Sequence, residues 1–235
     1  MPGTTIEVQA SEGGTFDCYL AVPASTDPTP AIVLACSIDG VDDDLRQIAD
    51  AFAAAGFIAA APDLFWRTVP GPLPSGDPRT HERSLPRLEK LSLNERDLVD
   101  TLAFLGTLPR WNGRAATIGF CYGGPFAILG PKRLGFGAGI SCHGSQMLDF
   151  LDELDGVRAP VCIIWGDRDH RAPESVLDAY RAAAAAMPNL EVHIFPGVEH
   201  GFMMPGSDAF DAPARDFSMA RSRAILNTLS GTPTT

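Results

Sequence analysis

Residues Ala115–Gly124 read AATIGFCYGG. The run Ala115–Phe120 is small and mostly apolar, as in a strand buried on both faces. It ends directly on Cys121, and Gly124–Leu129 begins a short helix. A nucleophile-type side chain at the join of a strand and a helix, two residues from a glycine on either side, is the G-x-S-x-G elbow with cysteine in place of serine. Such a turn is tight and strained, so side chains at Gly119 and Gly123 would collide with the neighbouring backbone. It aims the Tyr122 backbone N–H at a substrate oxygen and sets Cys121 near a helix N-terminus, whose dipole favours thiolate. These ten residues alone also fit a strand–turn–helix with a merely buried cysteine, so the rest of the chain must separate the two readings.

Outward from the elbow, strand and helix patterns alternate. Thr4–Gln9 and Thr15–Val22 read as a hairpin turning at Gly13-Gly14. Ala31–Cys36 (AIVLAC) is a buried strand, Asp42–Ala55 a helix stopped by Gly56, and Phe57–Ala61 the next strand. Leu93–Leu108 carries Leu98, Leu102 and Leu105 on one helical face. Gly137–Cys142, Val161–Trp165 and Leu190–Phe195 read as strands, Pro173–Met187 and Ala214–Leu229 as helices. This alternation predicts an α/β-hydrolase fold, a mostly parallel sheet flanked by helices on both faces, as one domain over residues 1–235. In such sheets ligands sit beyond the carboxyl ends of the strands. The Pro/Gly-rich stretch Pro62–Pro86 breaks the pattern. Its prolines oppose a long helix, and it reads as a loop over a site.

The residues after later strands complete a constellation. Asp167 and Asp169 follow Val161–Trp165, and His200 lies in the glycine-flanked loop Gly197–Phe202 after the last strand. Nucleophile, acid, base is the chain order of α/β-hydrolase triads. Asp169 is favoured as the acid, with Asp167 holding the loop. His193 falls inside a strand and His81 in the proline-rich loop, while His143 follows a strand and is kept as a pocket residue. The second oxyanion N–H is expected from the loop after Ala31–Cys36, at Ile38, beside that of Tyr122. No cofactor or metal is called for by this chemistry.

Composition is consistent with an enzyme acting on small molecules. Hydrophobic residues make up 45% of the 235 and charged residues 20%, enough to build a core. The net charge of −11, from 18 basic and 29 acidic side chains, repels nucleic acid and anionic membranes. No apolar run approaches the roughly 18 residues of a membrane span, and Met1–Gln9 has no secretory character, so the expected compartment is the cytoplasm. The five cysteines are odd in number and none forms C-x-x-C, which argues against disulfides or a zinc ribbon. Cys18, Cys36, Cys142 and Cys162 read as buried small hydrophobes. Nothing in the sequence decides the oligomeric state.

At this point the chain resembles the dienelactone hydrolase (carboxymethylenebutenolidase) family. The matching segments are GFCYGG at Gly119–Gly124, CSIDGV at Cys36–Val41, APDL at Ala61–Leu64, GDRDHRAP at Gly166–Pro173 and His200-Gly201-Phe202. The resemblance implies an α/β-hydrolase of reduced size, triad roles for Cys121, Asp169 and His200, and oxyanion roles for Ile38 and Tyr122. Two positions depart from the pattern of members that cleave dienelactones. Ser37 stands where they carry a glutamate that helps generate the thiolate, and Met204 stands where they carry an arginine that grips the substrate carboxylate. A thioether cannot make that bidentate grip. A second family arginine in the long loop is matched by Arg79 or Arg83. With Trp66, Phe202, Met203 and Met204 suggesting an apolar pocket, the expected substrate is a neutral or hydrophobic ester or lactone. Ser37, Trp66, Arg83, His143, Phe202 and Met204 are the expected substrate contacts. Competing readings are dienelactone hydrolysis proper, a thioesterase or broad esterase, and a non-catalytic or redox-sensing protein that keeps the fold.

Overall fold

The computed structural model describes residues 2–231. The apolar runs become eight strands of a mostly parallel sheet, and the chain divides into two compact units, residues 2–115 with 226–231, and residues 116–225.

In the first unit the sheet order is β1 (Thr4–Gln9), β2 (Thr15–Ala21), β4 (Ile58–Pro62), β3 (Thr29–Ala35). The expected hairpin pairs β1 with β2 antiparallel, Ile6 opposite Cys18, and turns through Gly13 and Gly14 at φ 101° and 86°. β2 also runs antiparallel to β4, whereas β3 and β4 are parallel. Helix α1 (Asp43–Ala54) starts because the Asp42 carboxylate accepts the Leu45 N–H at 2.9 Å. It buries Leu45, Ile48, Ala49, Phe52 and Ala53, at about 1.5–3 kcal/mol for each large apolar side chain.

The proline-rich stretch is less irregular than its composition predicts. Pro78–Ser84 forms a short helix, α2, because Asp77 caps it and Pro78 occupies the first turn. Helix α3 runs Arg87–Leu105, starting six residues before the predicted Leu93. The Leu98–Leu105 stripe marks only the later turns; before it the helix is anchored by buried Leu91 and by Asn94, which donates to the Leu64 carbonyl at 2.6 Å.

β5 (Trp111–Phe120) leads into the second unit, whose sheet order is β5, β6 (Ala138–Cys142), β7 (Val161–Gly166), β8 (Leu190–Phe195), all parallel. Helix α4 (Phe126–Leu129) packs on β6 and β7, and α5 (Glu174–Ala186) on β8. Gly139 explains how closely α4 approaches. A Cβ there would lie 1.8 Å from the Ala127 carbonyl oxygen. The last helix, α6, spans Ala212–Thr228. Among the described residues no helix is long and apolar enough to cross a membrane.

Candidate active site

β5 ends at Phe120, and Cys121–Gly123 forms a single 3₁₀ turn before α4. Cys121 sits at φ 49°, in the left-handed region that non-glycine residues rarely occupy. Gly119 is required by contact, since a Cβ on it would lie 1.9 Å from the Gly123 carbonyl oxygen. Gly124 is required as well, with a Cβ position 2.5 Å from Gly144 Cα. That second approach, to the loop after β6, was not expected from the elbow motif.

Cys121 is the one partly exposed cysteine of the five; Cys18, Cys36, Cys142 and Cys162 are fully buried. Burial pushes the thiols of Cys36 and Cys162 up to about 12 and those of Cys18 and Cys142 higher still. These four are protonated, unreactive core residues.

The loops after β7 and β8 are stitched together. The Asp167 N–H donates to the Phe195 carbonyl at 3.0 Å and the Arg168 N–H to the Val198 carbonyl at 3.0 Å. Gly166 allows this, because a Cβ there would lie 1.9 Å from the Val198 oxygen. Asp167 takes the loop-holding position, accepting the Gly197 N–H at 2.6 Å. Asp169 points the other way. It is 3% exposed, accepts the Arg171 N–H at 2.8 Å, and lies with both carboxylate oxygens 2.9 Å from His200 Nδ1. A carboxylate only accepts, so Nδ1 carries the hydrogen and Nε2 is left for the sulfur.

Burial opposes charge on His200, but its hydrogen bonds to Asp169 and Cys121 and the attraction of both groups outweigh burial and raise its pKa to about 9. The imidazolium is therefore favoured at neutral pH. By the sign of that shift, its contribution to stability is complete below the unfolded value of about 6.5 and fades as pH rises through about 9.

His143, expected in the pocket, stands edge-on against His200 at 5.0 Å and against Phe202 at 5.3 Å. It is fully buried, neither ring nitrogen has a hydrogen-bond partner among the described residues, and burial holds it well below the usual imidazole range, hence neutral. His170 stands 5.4 Å from His200 on the exposed side. Met203 is fully buried and Met204 half-buried.

The first unit holds the other expected residues. The Asp39 N–H donates to Ser37 Oγ at 3.0 Å and the Gly40 N–H to the Ser37 carbonyl at 3.1 Å, which fold the segment around Ile38. Arg83, expected as a substrate contact, is placed otherwise. It is 1% exposed, donates to the Ile38 carbonyl at 2.9 and 2.6 Å, to that of Val69 at 2.9 Å and to that of Gly71 at 2.7 Å, and lies over the Phe65 ring. Four of its five N–H donors are thus spent on backbone carbonyls, clamping the Ile38 carbonyl and the long loop. Arg79 is exposed and pairs with Asp77 at 2.7 Å. Trp66 donates to Asp97 at 3.1 Å and stacks on Phe16.

One group of possible metal ligands lies elsewhere. Cys162 and Glu191 are opposite each other on β7 and β8, with His193 two residues on, their ligand atoms within 4.8 Å. They do not suit a metal. Arg221 already occupies both oxygens of Glu191, and its guanidinium sets a positive charge beside the place a cation would take.

The model of the dienelactone hydrolase family matches residues 16–230. The chain belongs to the dienelactone hydrolase family. Carboxymethylenebutenolidase 1 of Cupriavidus pinatubonensis is 28% identical over 224 residues, covering 94% of this chain and 95% of that protein. The carboxymethylenebutenolidase of Pseudomonas putida is 27% identical over 224 residues, 94% of each chain. Among solved structures, a dienelactone hydrolase-like promiscuous phosphotriesterase from metagenomic libraries superposes with a TM-score of 0.78 at 20% identity, covering 98% of this chain and all of that one. The dienelactone hydrolase of Anabaena variabilis gives 0.65 at 19% identity, covering 92% and 94%. These two likenesses establish the α/β-hydrolase fold. As a dienelactone hydrolase family member, the protein is a hydrolase acting on ester or lactone bonds.

Proposed function

We propose that this family member is a cytoplasmic enzyme of one catalytic domain, residues 1–235, that hydrolyses a neutral or hydrophobic ester or lactone through an acyl-thioenzyme on Cys121. The observation that carries the reading is the partly exposed thiol of Cys121 on a strained elbow, joined to His200, which is held by buried Asp169.

In the resting enzyme the Cys121 proton resides on His200 Nε2, giving thiolate and imidazolium. The sulfur attacks the acyl carbon, and the carbonyl electrons move onto oxygen, where the Tyr122 and Ile38 N–H groups receive them. The intermediate collapses, the carbon–oxygen bond of the alcohol breaks, and the imidazolium delivers its proton to the leaving oxygen. Water, deprotonated by the now neutral His200, attacks the thioester. The acid departs, the thiolate is restored, and His200 keeps the proton. This sequence requires neither metal nor cofactor.

The imidazolium must survive for the alcohol to leave. kcat/KM is therefore expected to be level through neutral pH and to fall on the alkaline side with a midpoint at about 9. A pH–rate profile on a neutral ester checks this.

The neutral-substrate assignment rests on Met204, which supplies no carboxylate clamp, and on Arg83, which is 1% exposed and spends four of its five N–H donors on backbone carbonyls. A panel of neutral and carboxylate-bearing esters and lactones tests it. Neutral substrates are expected to have the higher kcat/KM, and Met204→Arg to shift the ratio toward carboxylate-bearing ones by about tenfold, the worth of one charge-assisted hydrogen bond. A parent enzyme that prefers carboxylate-bearing lactones would establish dienelactone hydrolysis proper, the activity in the names of its curated relatives.

A further inference from the structure

The loop after β6, His143–Gln146, adopts a conformation its residues do not favour. His143 and Gln146 are both in the left-handed region, at φ 42° and 55°. The surroundings hold the loop there. The His143 N–H donates to the Ile164 carbonyl at 2.8 Å, Trp165 Nε1–H to the Gly144 carbonyl at 2.9 Å, and the Ser145 N–H to the Cys121 carbonyl at 3.0 Å. Gly144 has no room for a side chain, since a Cβ there would lie 2.3 Å from Ser141 Oγ. A strained segment fixed this thoroughly at the end of a strand is where function is expected. Its product is the position of Ser145, buried to 6% exposure, with Oγ 3.9 Å from Cys121 Sγ.

We infer that Ser145 is a catalytic residue whose hydroxyl holds the charged form of the nucleophile, donating a hydrogen bond to the Cys121 thiolate. The inference rests on the reading of Cys121 as nucleophile. A hydroxyl suits both states of its neighbour. It accepts from a Cys121 thiol, and by turning about the Cβ–Oγ bond it donates to a thiolate. Ser145 keeps its own proton throughout. The bond acts twice in the cycle. It raises the thiolate fraction of the free enzyme, and it stabilises sulfur when the thiolate leaves the second tetrahedral intermediate. The titratable groups around the sulfur in this unit are His200, which carries Asp169 and stands against neutral His143 and exposed His170. Ser145 adds a donor to this set without adding a charge.

The test is the titration of Cys121, followed by thiolate ultraviolet absorbance against a Cys121→Ala blank and by the pH dependence of iodoacetamide alkylation. Ser145→Ala is expected to move the titration midpoint up by about one pH unit and to lower kcat/KM about tenfold on the acid side of that midpoint, as loss of one hydrogen bond to a charged group implies. Ser145→Thr, which keeps the hydroxyl, is expected to restore the midpoint. A Ser145→Ala midpoint equal to the parent's overturns the inference while leaving the nucleophile untouched. Full ester turnover by Cys121→Ala would remove the nucleophile reading itself.

Discussion

Cys121→Ala is expected to lower kcat/KM for any ester substrate by about 10⁴-fold or more, as for other enzymes that lose a covalent nucleophile. No other group can take over. The remaining four thiols are fully buried and held protonated, and Ser145, the hydroxyl near the sulfur, has a pKa too high to act unaided. The loss is chemical and not structural. Alanine removes one partly exposed sulfur, the left-handed backbone at φ 49° is unfavourable for both residues, and the glycines that admit the turn are unchanged. The melting temperature should therefore stay within a few degrees of the parent's, the effect of about 1 kcal/mol. Parallel steady-state kinetics and thermal denaturation check both halves. Residual activity beyond that limit would mean that hydrolysis proceeds without a covalent intermediate on this residue.

Asp169→Asn is expected to reduce kcat by about 10³–10⁴-fold with a smaller change in KM. The two oxygens of Asp169 lie 2.9 Å from His200 Nδ1 and fix the hydrogen there. An amide turned toward His200 donates instead of accepting. It drives the hydrogen onto Nε2 in the neutral ring, which faces the sulfur and must receive its proton. It also removes the anion that keeps His200 charged up to about 9, so the alkaline limb of the pH profile should move toward neutrality. Asp167→Asn is the control. That carboxylate accepts the Gly197 N–H at 2.6 Å and, among the described residues, has no hydrogen bond or ion pair with His200. An amide oxygen can accept the same bond, so activity should stay within about threefold, the scale of a neutral surface hydrogen bond.

The parts of this site that follow one local rule were legible in the sequence. The elbow at Gly119–Gly123 combines a strand period, two glycines and a reactive side chain, and the structure realises it at the same residues. Asp169 and His200 each follow a strand in the order an α/β-hydrolase requires, and Asp167 occupies the loop-holding position assigned to it. Tertiary effects were not legible. Arg83 carries a charge in a proline-rich loop, which reads as surface or ligand-facing. Only the folded chain brings the carbonyls of Ile38, Val69 and Gly71 around it, so that a buried guanidinium becomes a clamp. Leu91 and Asn94 lengthen α3 for the same reason, since Asn94 is a poor helix former until the Leu64 carbonyl receives its amide. Ser145 left no periodic or motif signal. The clue available was its place, three residues past a strand whose carboxyl end belongs to the ligand side of the sheet. Its relation to Cys121 depends on Gly124 and Gly144 lying in contact, which no local pattern encodes.

In the proposed mechanism the acyl group passes through Cys121. The most direct measurement is mass spectrometry of the enzyme acid-quenched within the first turnovers of an activated neutral ester. One acyl adduct per chain is expected, carried by the peptide containing Cys121 and absent from Cys121→Ala. An adduct on a different residue, or rapid turnover with no adduct while the same quench preserves an authentic acyl-thioester, would contradict it.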